Sequence, residues 1–324
     1  MARALAALAS LTYCASDWKG VPPGLATAVE RNCGDFCEEA GLAVERGTVR
    51  LVDLPDAGSR HQLFAISGRL ANLRAGAAPA GCFLAIRGPI GLPTDPSWAR
   101  DRDSALVSLG ARGCPECHVH RGYKGAWDRM ANLTVSELRA NGCKAESKSS
   151  LYITGHSMGG AVGLLAMYAL QAEGYDVQLS YTFAAPKVGN RHFAVAFARA
   201  FKRPVPVFRV TRAGDWVPAM PTDPRYKDVP FQVHYFSDGL EDYTICYDAA
   251  DTSCGTAEDG GSQLPTTDGQ HSALALVPYG CLTQLRPLGP FVVTPAGQEA
   301  YSAVCINGGR MRRAPGDRGG RGKA

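Results

Sequence analysis

Leu151-Tyr152-Ile153-Thr154-Gly155-His156-Ser157-Met158-Gly159-Gly160-Ala161-Val162-Gly163-Leu164-Leu165 decides how this chain is read. An apolar run meets a serine held between glycines, and a second apolar run follows at once. The pattern is strand, sharp turn, helix. In a nucleophile elbow of this kind the flanking glycines permit a turn that a Cβ would obstruct, and the strained turn holds the serine hydroxyl out at the top of the sheet. The competing account is a glycine-rich turn that only packs closely. His156 and Gly160 extend the match beyond the bare glycine-x-serine-x-glycine, so Ser157 is the candidate nucleophile.

Outward from the elbow, apolar runs at 49–54, 63–66, 82–86, 151–154, 177–183 and 205–210 are bounded by Gly, Pro or charged residues and read as strands. Residues 126–140 and 161–172 carry apolar side chains at helical spacing, with Asn141-Gly142 and Gly174 as stops. Strand and helix alternate, which implies an α/β fold: a mostly parallel central sheet flanked by helices, with its chemistry at the carboxyl ends of strands. Ser157 sits at such an end. The proline-rich stretch from Pro204 to Pro230 is too apolar for a linker and reads as a strand followed by a site loop.

A serine hydroxyl is a poor nucleophile near neutral pH. It needs a histidine to take its proton and an acid to fix that histidine's tautomer. On an elbow of this type the chain order is serine, then acid, then histidine. Asp215, Asp223 and Asp228 are the acids in range, and Asp215 directly follows the 205–210 strand through Gly214. Two histidines follow it, His234 and His271. His234 lies among Val233, Tyr235 and Phe236, company that suits a packed structural histidine, whereas His271 lies in the polar loop Asp268-Gly269-Gln270-His271-Ser272. His271 is the expected base and Asp215 the expected acid.

The 324 residues are 45% hydrophobic, enough for one substantial core. Residues 13–290 are expected to form one domain. Residues 1–12 are an alanine-rich apolar stretch read as a short or truncated leader, and 291–324 are read as a C-terminal extension. The net charge of +4 is concentrated in that extension, at Arg310, Arg312, Arg313, Arg318, Arg321 and Lys323. A nearly neutral body and a glycine-arginine tail without aromatics argue against nucleic acid as a partner. No apolar run has the length of a transmembrane segment.

Eleven cysteines are many for a reducing compartment, and Cys33 with Cys37, Cys114 with Cys117, and Cys246 with Cys254 fall in close pairs. Disulfides account for them more simply than zinc, since Cys114-Pro115-Glu116-Cys117 has no second such unit to complete four ligands. No metal or organic cofactor is expected.

Four blocks in this order of the chain, Val119-His120-Arg121-Gly122-Tyr123, Gly155-His156-Ser157-Met158-Gly159-Gly160, Thr182-Phe183-Ala184-Ala185-Pro186-Lys187-Val188-Gly189-Asn190 and Asp215-Trp216-Val217-Pro218, resemble the fungal-type class 3 lipases and the related feruloyl esterases. The resemblance runs from Tyr13 to Cys281. It implies an alpha/beta-hydrolase fold, the triad Ser157, Asp215 and His271, and a noncatalytic His234. It also implies an oxyanion hole from the Met158 N–H and a donor in Ile86-Arg87-Gly88-Pro89. That donor position is occupied by Pro89, which has neither N–H nor hydroxyl; Gly88 or Ile90 would have to turn an amide inward instead.

Residues 90–105 match the family's lid region, with Ile90, Leu92 and Trp98 as its apolar face, against the alternative of a plain surface loop. The resemblance further implies a Cys14 to Cys281 disulfide and leaves Cys82, Cys143 and Cys305 over. The function so implied is a serine carboxylic-ester hydrolase, an acylglycerol lipase that meets a lipid interface transiently, in the extracellular space or the secretory lumen. The alternatives are a feruloyl or aryl esterase and, because of Pro89, an impaired relative that binds an ester or lipid without turnover.

Overall fold

The computed structural model describes residues 1–14, 37–38, 41–53, 64–73, 79–89, 102–201, 207–236, 242–247 and 271. Its strands are β1 (Leu42–Val44), β2 (Arg50–Asp53), β3 (Phe64–Asn72), β4 (Gly81–Ile86), β5 (Leu106–Ser108), β6 (His118–His120), β7 (Ser150–His156), β8 (Asp176–Val177), β9 (Ser180–Phe183), β10 (Gly189–Asn190), β11 (Val207–Arg212), β12 (Tyr226–Lys227), β13 (Gln232–Tyr235) and β14 (Tyr243–Cys246). Four described helices accompany them: α1 (Ala2–Cys14), α2 (Arg121–Ala140), α3 (Met158–Ala172) and α4 (Arg191–Ala200).

The main sheet runs β1-β3-β4-β7-β9-β11-β13-β14, with β2 on β3 and β8 on β7. Its centre, from β4 through β13, is parallel, and antiparallel pairs close both ends. The near-continuous apolar runs of β4 and β7 are what a parallel strand covered on both faces requires; every residue of both strands is buried. Strand alternation divides them between two cores. Cys82, Leu84 and Ile86 face the layer with α2 and α3, while Phe83, Ala85 and Tyr152 face α1. β5, β6, β10 and β12 form a separate small sheet.

The helices are amphipathic to the degree their positions demand. In α2 the buried residues Tyr123, Ala126, Trp127, Met130, Thr134 and Leu138 recur at three- and four-residue steps. α3 is apolar nearly all round because it lies between the sheet and α2. Asn141 caps α2 and Gly142, at φ 76°, turns the chain out, as expected. The expected 177–183 strand is broken into β8 and β9, and α2 begins five residues before the expected 126–140.

Most of the stretch 1–12, expected from its composition to be a short or truncated leader, is helical in this structure. It lies in α1, packed on β4, β7 and β9, with Leu5, Leu8 and Leu11 essentially inaccessible. Each such leucine contributes about 1.5–3 kcal/mol by burial. Thr154 Oγ1 also donates to the Leu5 carbonyl at 3.2 Å, stitching α1 to β7. Here the stretch is a core element.

Cys114 and Cys117 are bonded to each other, matching the spacing. Cys82 and Cys143, left over in the sequence, form a second disulfide across 61 residues. The parallel register explains the meeting: Cys82 lies opposite Leu151, so the segment leading into β7 runs back past the start of β4. Cys37 and Cys246 each take part in a disulfide as well, with a partner outside the described residues. Cys33, Cys254, Cys281 and Cys305, and with them the expected pairings, lie outside the described residues, as do the lid candidates Ile90, Leu92 and Trp98. Opening the long loop closed by Cys82 and Cys143 frees the unfolded chain, so a Cys82→Ser/Cys143→Ser variant is expected to lose about 4 kcal/mol of stability. Urea unfolding with the other disulfides intact measures this, and a midpoint unchanged from wild type would contradict it.

Candidate active site

The elbow follows from steric demands at the end of β7. Ser157 has φ 57° and ψ −133°, a conformation costly for a residue with a Cβ. It is held by Ser157 N–H donating to the Phe183 carbonyl at 2.9 Å and by Gly160 N–H donating to the Ser157 carbonyl at 2.9 Å. A Cβ on Gly155 would collide with the Gly159 carbonyl, and one on Gly159 with the backbone of Ile86 and Arg87. Glycine at these two positions lets α3 start directly against β4 and β7.

Ser157 Oγ lies 3.0 Å from His271 Nε2. His271 Nδ1 is 3.1 Å from both carboxylate oxygens of Asp215. A carboxylate only accepts, so Nδ1 carries the hydrogen and Nε2 is left to accept from the serine hydroxyl. Asp215 follows β11 across Gly214, at φ 82°. Its side chain is fully buried, and one oxygen accepts the Val217 N–H at 3.0 Å. A buried carboxylate so fixed offers the imidazole one orientation. Asp223 instead pairs with exposed Arg225, and Asp228 with Arg209 at 2.9 Å.

His234 lies on β13, buried, with Nδ1 2.8 Å from Thr211 Oγ1. Thr211 Oγ1 also accepts from Gln232 Nε2 at 2.8 Å, which links His234 to a third polar side chain of the sheet. The three sequence candidates are thus brought together and His234 is tied into the sheet.

Met158 opens α3, where the first amides have no partner inside the helix and the dipole favours negative charge. Gly88 and Pro89 follow β4 beside the elbow: a Cβ on Gly88 would meet Tyr13, the His156 carbonyl and Ser157 Cβ. The Gly88 N–H donates to the Tyr13 hydroxyl at 3.1 Å, so of the two substitute donors considered for Pro89, this one is engaged elsewhere. Ile90 lies outside the described residues.

Two polar residues at the site went unassigned in the sequence, Tyr13 and His156. His156 Nδ1 is 2.8 Å from the Tyr13 hydroxyl, and Nε2 is 3.1 Å from the His271 carbonyl. Complete burial, and then the nearby His271, hold the His156 pKa well below the ordinary 6.5. The unfolded chain takes up this proton below pH 6.5 while the folded one does not, so stability falls as pH drops through that value, by up to about 1.4 kcal/mol per pH unit. His156→Gln is expected to lessen this acid-side slope by one proton. Urea midpoints between about pH 5 and 7 test it; parallel slopes for wild type and variant would contradict it.

Residues 83–224 match the family model described as Lipase (class 3). Secreted mono- and diacylglycerol lipase 1 of Fusarium solani is 35% identical over 106 residues, 32% of this chain and 30% of that protein. Secreted mono- and diacylglycerol lipase A of Penicillium camembertii is 30% identical over 120 residues, 37% of each chain. The chain therefore spans about a third of the length of the curated relatives it matches. Among solved structures, a mono- and diacylglycerol lipase from Aspergillus oryzae superposes with a TM-score of 0.63 at 19% identity, over 87% of this chain and 98% of that one. Lip2 lipase from Yarrowia lipolytica gives 0.63 at 21% identity, over 85% and 92%. No described helix is long and apolar enough to cross a membrane. The chain therefore has an alpha/beta-hydrolase fold like that of the solved fungal lipases, and its residues 83–224 match the sequence model of the class 3 lipases.

Proposed function

We propose that this protein is a serine carboxylic-ester hydrolase that cleaves acylglycerols through an acyl-enzyme. The observation that carries the reading is the unbroken hydrogen-bonded line from Ser157 through His271 to buried Asp215. His271 Nε2 takes the hydroxyl proton as Ser157 attacks the ester carbonyl, and Asp215 stabilises the resulting imidazolium. The tetrahedral oxyanion forms against the Met158 N–H at the positive end of α3. His271 then returns the proton to the departing glycerol oxygen. Water, deprotonated by the same nitrogen, attacks the acyl-enzyme and releases the fatty acid. Every step uses protein groups and water alone.

Acylglycerols are favoured as substrates because the relatives just described are named mono- and diacylglycerol lipases. The same names, with disulfides at Cys82–Cys143 and Cys114–Cys117, support a secreted or lumenal site of action and a transient meeting with a lipid surface. Fatty-acid release from emulsified mono-, di- and triacylglycerols, compared with ferulate release from methyl ferulate, tests the reading. Acylglycerol cleavage that increases when the substrate passes from dissolved to emulsified is expected. Ferulate release without acylglycerol cleavage would replace it with the feruloyl esterase reading, and neither activity would leave a binding protein.

A further inference from the structure

The geometry points to Tyr13 as a positioning residue of the site, one that locks the tautomer of His156 so that His156 in turn holds the backbone of His271. This rests on the hydrolase reading of the same site. The hydrogens can be assigned from chemistry. A carbonyl oxygen only accepts, so the contact of His156 Nε2 with the His271 carbonyl at 3.1 Å requires the hydrogen on Nε2. Neutral His156 then has Nδ1 as an acceptor, and the Tyr13 hydroxyl donates to it at 2.8 Å. The phenol oxygen accepts from Gly88 N–H at 3.1 Å. One directed chain results: Gly88 N–H to Tyr13 O–H to His156 Nδ1, then His156 Nε2–H to the His271 carbonyl.

This chain joins four separate segments: α1, the loop after β4 that carries Pro89, the elbow and the segment carrying the base. Its two ends fix the places where precision matters. At one end Gly88 sits against Ser157 Cβ, next to the position from which an oxyanion donor would come. At the other the backbone of His271 is held while its ring reaches Ser157 at 3.0 Å. The rings of His156 and His271 lie 4.6 Å apart, so a charged His156 would oppose the imidazolium that the reaction creates. Burial keeps His156 neutral, and the Tyr13 hydroxyl selects which of its neutral forms is present. Without that hydroxyl the hydrogen can move to Nδ1, leaving two acceptors facing each other at the His271 carbonyl.

The test pairs a tautomer measurement with kinetics normalised to phosphonate-titrated sites. In protein labelled with 15N-histidine, the His156 signals are those absent from His156→Gln. Wild type is expected to show His156 wholly in the Nε2–H form and Tyr13→Phe a mixture. Tyr13→Phe should lower kcat about tenfold with KM little changed, because the base is misplaced and not the substrate. His156→Leu should lose at least as much. His156→Gln, whose amide can accept from Tyr13 and donate to the His271 carbonyl, should retain turnover within about threefold of wild type.

An Nδ1–H tautomer in wild type, a measurement that needs no variant to fold, overturns the assignment. So does unchanged kcat in folded Tyr13→Phe. Loss of the Nε2–H form in Tyr13→Phe alongside a wild type without turnover would sink the hydrolase reading and still support Tyr13 as the residue that sets the tautomer.

Discussion

Replacing Asp215 with Asn is expected to lower kcat by about 10⁴, with KM little changed and the fold intact. The carboxylate accepts His271 Nδ1–H and the Val217 N–H, and it is wholly buried. An amide at this position can present its NH₂ to His271, which places the imidazole hydrogen on Nε2 and leaves nothing to accept the Ser157 proton. It also gives no compensation to an imidazolium. Ser157→Ala removes the nucleophile itself and should cost at least as much, on the order of 10⁶. His271→Ala belongs with it, and the losses should not add, since the three act as a unit. His234→Ala should instead reduce stability through the lost Thr211 bond and leave turnover per folded molecule near wild type. Steady-state kinetics beside urea unfolding separates the cases, and loss of turnover in folded His234→Ala would transfer the base assignment.

Pro89→Ser and Pro89→Thr are expected to raise turnover at least about tenfold. A missing oxyanion donor costs on the order of 10² to 10³ in kcat, and proline supplies neither amide nor hydroxyl hydrogen. The structure sharpens this expectation, because the adjacent Gly88 N–H already donates to Tyr13 and is not a substitute. The gain should appear in kcat, since the oxyanion exists only after attack on the carbonyl. Comparing kcat for wild type and the two variants on one soluble ester decides it. Equal or lower turnover in folded variants, with robust hydrolysis by wild type, would mean another group already fills the hole.

The elbow was legible because its requirements are local: the glycines beside Ser157, a buried strand before it and an apolar helix after it. Asp215 was legible for the same reason, since it follows β11 across one positive-φ glycine. His271 rested on a contrast of neighbours, polar against the apolar surroundings of His234, and the hydrogen bonds around both now give that contrast a geometry. Contacts between distant segments were not legible. Tyr13 meets His156 from 143 residues away, and nothing near either residue signals the other. Cys82 and Cys143 meet because β4 and β7 are parallel neighbours, a register that no cysteine spacing reveals. Residues 1–12 are ambiguous for a physical reason as well: a helix buried against a sheet and a short apolar leader share the same alanine and leucine composition.

The central claim is that Ser157 is an activated nucleophile and not merely a residue in a tight turn. An active-site serine phosphonate, followed by peptide mass spectrometry, tests it without assuming any natural substrate. The account predicts one covalent adduct per chain, located on Ser157, formed rapidly in wild type and lost or greatly slowed in His271→Ala and Asp215→Asn. Folded wild-type protein that leaves Ser157 unlabelled, or labels it no faster than His271→Ala does, would contradict it.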